Sequence, residues 1–121
     1  MYKIIFYKDR RGRVPVKEYL QELTRQNTKD SLIRSFKIRS YMKVLSEQGF
    51  ALVTVMCKHI EGDLWELRPS KDRIFFAGYD NGVFIMLHCF EKKTQKTPKR
   101  EIERAKREFK DFLERRRSDN G

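Results

Sequence analysis

Between two apolar runs, Arg73 to Tyr79 and Val83 to Phe90, stands Asp80-Asn81-Gly82. Asn-Gly favours the positive backbone angles of a tight hairpin, so the runs read as adjacent antiparallel strands. A third run, Leu64-Trp65-Glu66-Leu67-Arg68, precedes them across the turn-forming stretch Pro69 to Asp72. Three strands joined by short turns commit the middle of the chain to a sheet, and the remaining segments must cover its apolar surface.

Those segments are mostly helical. Tyr2-Lys3-Ile4-Ile5-Phe6-Tyr7 is one more strand-like run, stopped by Lys8-Asp9-Arg10-Arg11-Gly12. From Val14 the period changes: Val16, Tyr19, Leu20 and Leu23 fall at i, i+3, i+4 and i+7 behind Pro15, which predicts a helix to about Gln26. Asn27-Thr28-Lys29-Asp30 offers capping residues for a second helix, Ser31 to Gln48, ended by Gly49. Its apolar residues Leu32, Phe36, Ile38, Tyr41, Met42 and Leu45 wrap around it, so contacts on more than one side are expected. Thr97-Pro98 opens a last helix with Ile102, Ala105, Phe109, Phe112 and Leu113 on one face. The reading is a single α+β domain of order β-α-α-β-β-β-α, a helical hairpin packed on a small, mainly antiparallel sheet. Residues 1–117 form the domain and 118–121 a flexible tail. At 121 residues one core suffices without disulfide or metal.

Folding does not require the charge this chain carries. Its 28 Lys and Arg against 17 Asp and Glu give +11, which points to an anionic partner. No run approaches the ~20 apolar residues of a membrane-crossing helix, and no signal-peptide core is seen, so a cytoplasmic protein without a membrane partner is expected. Cys57 and Cys89 lack zinc spacing and read as reduced, packed thiols.

Alternation puts Leu64, Glu66 and Arg68 on one sheet face and Trp65 and Leu67 on the other. With Trp65 and Leu67 in the core, Glu66 and Arg68 are expected on a polar face that Arg73 reaches from the next strand. The last strand runs into Glu91-Lys92-Lys93-Thr94-Gln95-Lys96-Thr97-Pro98, a basic rim at one edge. Guanidiniums suit paired contacts to phosphate and lysines act as mobile point charges, with Lys58, Lys71, Gln95 and Lys96 as candidate RNA-binding residues. Cleavage of RNA by its own 2′-hydroxyl needs a base, cations for the crowded phosphorane and an acid for the leaving oxygen. Base and acid candidates are Glu66, His59, His88 and a lysine of depressed pKa; His88, inside a strand, reads first as a satisfied buried imidazole. The charges from Lys99 to Arg117 alternate in sign at helical spacing and read as a solvated face. No glycine-rich phosphate loop, zinc signature or Ser-His-Asp grouping stands out.

Gly62-Asp63-Leu64-Trp65-Glu66-Leu67-Arg68, Arg73-Ile74-Phe75-Phe76, and Ile85-Met86-Leu87-His88-Cys89-Phe90-Glu91-Lys92-Lys93-Thr94-Gln95-Lys96-Thr97-Pro98 with Ile102 and Ala105 resemble the phage-derived HigB-like branch of the RelE/ParE toxin superfamily. The resemblance spans nearly the whole chain. It implies a RelE-like fold and a ribosome-dependent mRNA interferase, an endoribonuclease needing no metal or other cofactor. It further implies the toxin role in a type II toxin–antitoxin (HigBA-like) module, with a cognate HigA-like helix-turn-helix antitoxin in a heterotetramer. Carried over by position, Arg68 and Arg73 correspond to the phosphate-stabilising arginines, and Lys92 or Lys93 to the basic residue after the last strand. RelE's pair of lysines falls where this chain reads Leu64-Trp65-Glu66, and its C-terminal tyrosine has no counterpart after Pro98. Glu66 with His59 is therefore the base and acid hypothesis for this branch. ParE-type relatives share the fold but poison DNA gyrase without nuclease activity, which is the alternative; a non-catalytic RNA-binding module is a third reading.

Overall fold

In the computed structural model, which describes residues 1–49 and 53–120, β1 (Lys3–Phe6) leads into α1 (Pro15–Gln26) and α2 (Lys29–Gln48). One helical turn, α3 (Val53–Met56), precedes β2 (Cys57–Glu61), β3 (Leu64–Leu67), β4 (Asp72–Tyr79) and β5 (Val83–Glu91), and α4 (Lys99–Asn120) follows. The sheet order is β1-β5-β4-β3-β2, with β1 parallel to β5 and every other pair antiparallel. This is the expected α+β order with β2 added at one edge. Cys57-Lys58-His59-Ile60-Glu61 has too little apolar content to read as a strand, and its place comes from pairing with β3. The last helix continues through Asn120, past the Arg117 boundary read from the sequence, while Gly121 of the expected tail lies outside the described residues. Among the described residues no helix is long and apolar enough to cross a membrane.

Strand alternation builds two cores. Val16, Leu20 and Leu23 of α1 and Ile38, Met42 and Leu45 of α2 pack on Leu67, Ile74, Phe76, Phe84 and Met86. On the opposite face Ala105, with Ile102, Phe109 and Phe112 of α4 beside it, packs on Leu64, Phe75, Ile85, Leu87 and Phe90. Truncating a fully buried ring such as Phe75 costs about 3–5 kcal/mol at sites of this kind. The hairpin helices have clear start signals. Pro15 begins α1, and Thr28 caps α2 through a reciprocal pair of hydrogen bonds with Ser31, each 3.0 Å. Among the described residues the wrap-around apolar pattern of α2 is not covered all round, since Leu32, Ile33 and Phe36 remain exposed, Phe36 by 70%.

One irregularity controls the facing of β5. Phe75 pairs with His88 but Phe76 pairs with Met86, so Leu87 is an extra residue in the ladder. Leu87 and His88 consequently both face α4, as does Phe90, while Cys89 joins the hairpin side.

Candidate active site

Register across the sheet aligns the site. Lys58 of β2 stands opposite Glu66 of β3, Glu66 opposite Phe75 of β4, and Phe75 opposite His88 of β5, all facing the α4 side. Arg68 and Arg73 lie on the same face at the strand ends. Glu66 and Arg68 do share a face, as the alternation implies, but Glu66 is fully buried and does not lie on an open polar face. Thr97, in the segment between β5 and α4, lies against it, which alternation alone cannot reveal.

A buried carboxylate is expensive unless polar partners replace its water. Thr97 donates its hydroxyl to Glu66 Oε2 at 2.7 Å. Glu66 Oε1 lies 3.6 Å from Arg73 Nε and 3.7 Å from Arg68 Nε, within ion-pair range, and has no hydrogen-bond partner. Arg73 is fixed from behind, donating through Nη1 to the carbonyls of Ser70 at 2.6 Å and Asp72 at 2.8 Å. Burial and then the nearby Arg68 charge pull the Arg73 pKa down, against the pull of Glu66 and Asp72. Lys92 belongs to the same group: burial, then the charges of Arg73 and Arg68, lower its pKa. Its backbone N–H donates to the Lys71 carbonyl at 2.8 Å, fixing the chain where it leaves β5.

Glu66, Arg68, Arg73, Lys92 and Lys58 are thus gathered together. Other sequence candidates are not. His59 pairs with Trp65 on the opposite face, its ring 4.8 Å from the indole and its Nε2 2.8 Å from the Gly62 carbonyl oxygen. Lys71 pairs with Asp30 at 3.2 Å, toward α2. Lys93 lines a separate hollow with Lys99 and Arg100, and Gln95 and Lys96 are exposed in the loop, where Thr94 donates to the Lys96 carbonyl at 2.6 Å. His88 is fully buried, its Nδ1 2.6 Å from Glu108 and its Nε2 3.1 Å from Glu101, so it holds α4 to the sheet. Among the described residues no three His, Cys, Asp or Glu side chains are placed to share a metal ion. Cys57 and Cys89 are free thiols, and burial raises both pKa values, Cys57 to about 12.

Sequence reasoning missed Thr97. A threonine just before a proline at a helix start reads as a cap, yet α4 begins on the Pro98 carbonyl, which accepts from Glu101 and Ile102 at 3.0 and 3.3 Å. The Thr97 hydroxyl is left to serve Glu66.

One buried carboxylate with an unshared oxygen, ringed by cations on a rigid sheet, is suited to taking a proton beside a phosphate. No curated protein matches the chain in sequence. The family model of phage-derived Gp49-like proteins (DUF891) matches residues 19–110, from α1 into α4, and so spans the whole cluster. That family is one of RelE-like toxins, and a toxin of this kind implies an antitoxin partner. With more than half its length matched and a fold of this type, the chain belongs to the phage-derived Gp49-like family of RelE-like toxin–antitoxin toxins.

Proposed function

We propose that residues 1–117 act in the cytoplasm as a HigB-like, ribosome-dependent mRNA interferase that inhibits translation and is neutralised by a HigA-like helix-turn-helix antitoxin in a heterotetramer. The observation that carries the reading is the unshared Oε1 of Glu66 between Arg68 and Arg73. Oε1 is closed off in the free protein; as the incoming phosphate draws the half-exposed Arg68 aside, it takes the proton of a 2′-hydroxyl whose oxygen attacks the adjacent phosphorus. Arg68 and Arg73 stabilise the charge that builds on the phosphorane oxygens. Lys92 gives a proton to the departing 5′-oxygen, leaving a 2′,3′-cyclic phosphate and a free 5′-hydroxyl. Its lowered pKa brings it closer to the range in which an acid donates usefully. Lys58 at the edge, with Lys93, Gln95 and Lys96 in the loop, holds flanking phosphates as mobile contacts. His59 has no part in this scheme, because the sheet separates it from Glu66.

Primer extension on message held in translating ribosomes tests the reading. New 5′ ends are expected with wild type and not with folded Arg73→Ala, Lys92→Ala protein. Growth arrest and inhibited supercoiling without new ends would transfer the assignment to a gyrase poison.

A further inference from the structure

The terminal torsion of a glutamate is broad, so its rotamer does not decide which carboxylate oxygen faces a substrate. An outside partner must do so. At Glu66 that partner is Thr97, whose hydroxyl engages Oε2 at 2.7 Å and leaves Oε1 toward Arg73 and Arg68. Thr97 is itself held by its place beside Pro98, where the first backbone hydrogen bonds of α4 begin, and α4 is fastened to the sheet through His88 with Glu101 and Glu108. The orientation of the carboxylate is therefore referred to the position of a helix on the far side of the loop.

We infer that Thr97 is a positioning residue for Glu66: its hydroxyl fixes Oε2 so that Oε1, beneath Arg68 and Arg73, is the oxygen that acts as proton acceptor once substrate draws Arg68 aside. This rests on the reading of Glu66 as the base. Thr97 touches no reacting atom, and its effect is felt on the chemical step and not on the capture of message.

The test is single-turnover cleavage of message in the ribosomal A site, giving a maximal rate and a half-saturating toxin concentration, with thermal melts to establish folding. Thr97→Val keeps the shape and removes the hydroxyl, and is expected to lower the maximal rate about 10–100-fold with half-saturation nearly unchanged. Thr97→Ser keeps the hydroxyl and restores the rate. Thr97→Val added to Glu66→Gln costs nothing further, because the hydroxyl acts only through that carboxylate. If Thr97→Val does not fold, Thr97→Ala carries the same comparison. A folded hydroxyl-less variant that cleaves as wild type, a change confined to half-saturation, a folded Thr97→Ser as impaired as Thr97→Val, or additive losses with Glu66→Gln would each overturn the inference. Should Glu66→Gln itself cleave at the wild-type rate, or wild type cleave nothing, the reading of Glu66 falls first and takes the role of Thr97 with it.

Discussion

Glu66 Oε1 and Arg73 Nε face each other 3.6 Å apart, both buried, and neither makes a hydrogen bond. The separation is too long for a hydrogen bond and short enough for strong attraction between opposite charges out of water. Glu66→Gln preserves shape while removing the proton acceptor, and a loss of about 10²–10⁴-fold in cleavage is expected. Arg73→Lys retains charge without the fixed fork and is expected to lose about 10²–10³-fold. Counting new 5′ ends over time on ribosome-bound message checks both, with circular dichroism confirming the fold.

Lys92 supplies a pH signature. Burial, then Arg73 and Arg68, disfavour its charged form and lower its pKa. As the proposed acid it would act while protonated, so cleavage is expected to fall as pH rises through that lowered value. Replacing Arg68 by Gln removes one repelling charge, raises the Lys92 pKa and moves the alkaline limb of the rate profile to higher pH, although the rate itself drops. An alkaline limb that stays in place in Arg68→Gln would assign it to another group.

On the reverse face of β4, Asp72 is fully buried and receives Arg34 through Nε at 3.0 Å and Nη2 at 2.7 Å, with the Tyr19 hydroxyl at 2.5 Å. Removing Arg34 leaves that carboxylate without its countercharge. Arg34→Met is expected to cost about 3–5 kcal/mol, and the double change Arg34→Met, Asp72→Leu to recover part of it. Tyr19→Phe, losing the hydrogen bond donated to Asp72 and the one accepted from Arg34, costs about 1–2 kcal/mol. Urea unfolding midpoints order the three variants.

Acid stability has a separate anchor in Asp111. Burial pushes its pKa up, but hydrogen bonds donated by Tyr7 and Arg10 at 2.7 Å and the charge of Arg115 outweigh that and hold the folded pKa below the usual carboxylate value. A depressed folded pKa contributes stability that is present above the unfolded value of about 3.9 and lost as pH falls through the folded one. Asp111→Asn is therefore expected to lower stability at neutral pH and to flatten its decline in acid, as read from denaturation at a series of pH values.

How far the sequence could lead is visible residue by residue. Periodicity locates α1, α2, α4 and three of the four consecutive strands, because Val16, Leu20, Leu23 and the Asn81-Gly82 turn act locally. The strand holding His59 escapes, since an edge strand with Lys58, His59 and Glu61 owes its existence to the neighbour it pairs with. Arg68 and Arg73 are legible as neighbours of Glu66 from alternation and one short turn. The burial of Glu66, the choice of Lys92 over Lys93 and the role of Thr97 depend on where the loop after β5 lies over the sheet, a long-range matter with no local signal. Phe36 errs the other way: its helical position resembles a core residue, yet its side chain is 70% exposed.

The extra residue at Leu87 acts as a phase change in the two-residue rhythm of β5. Before it, even-numbered side chains point to the helical hairpin; after it, they point to α4. His88, Phe90 and Lys92 stand on the side of Glu66 only because that parity is reversed, while Glu91 is turned back to Arg34. Deleting Leu87 would smooth the strand and still leave His88 opposite Phe75. Straightening the strand with the leucine kept in it would instead exchange the two sides of everything downstream, sending the lysine of the cluster toward the hairpin and the glutamate into its place.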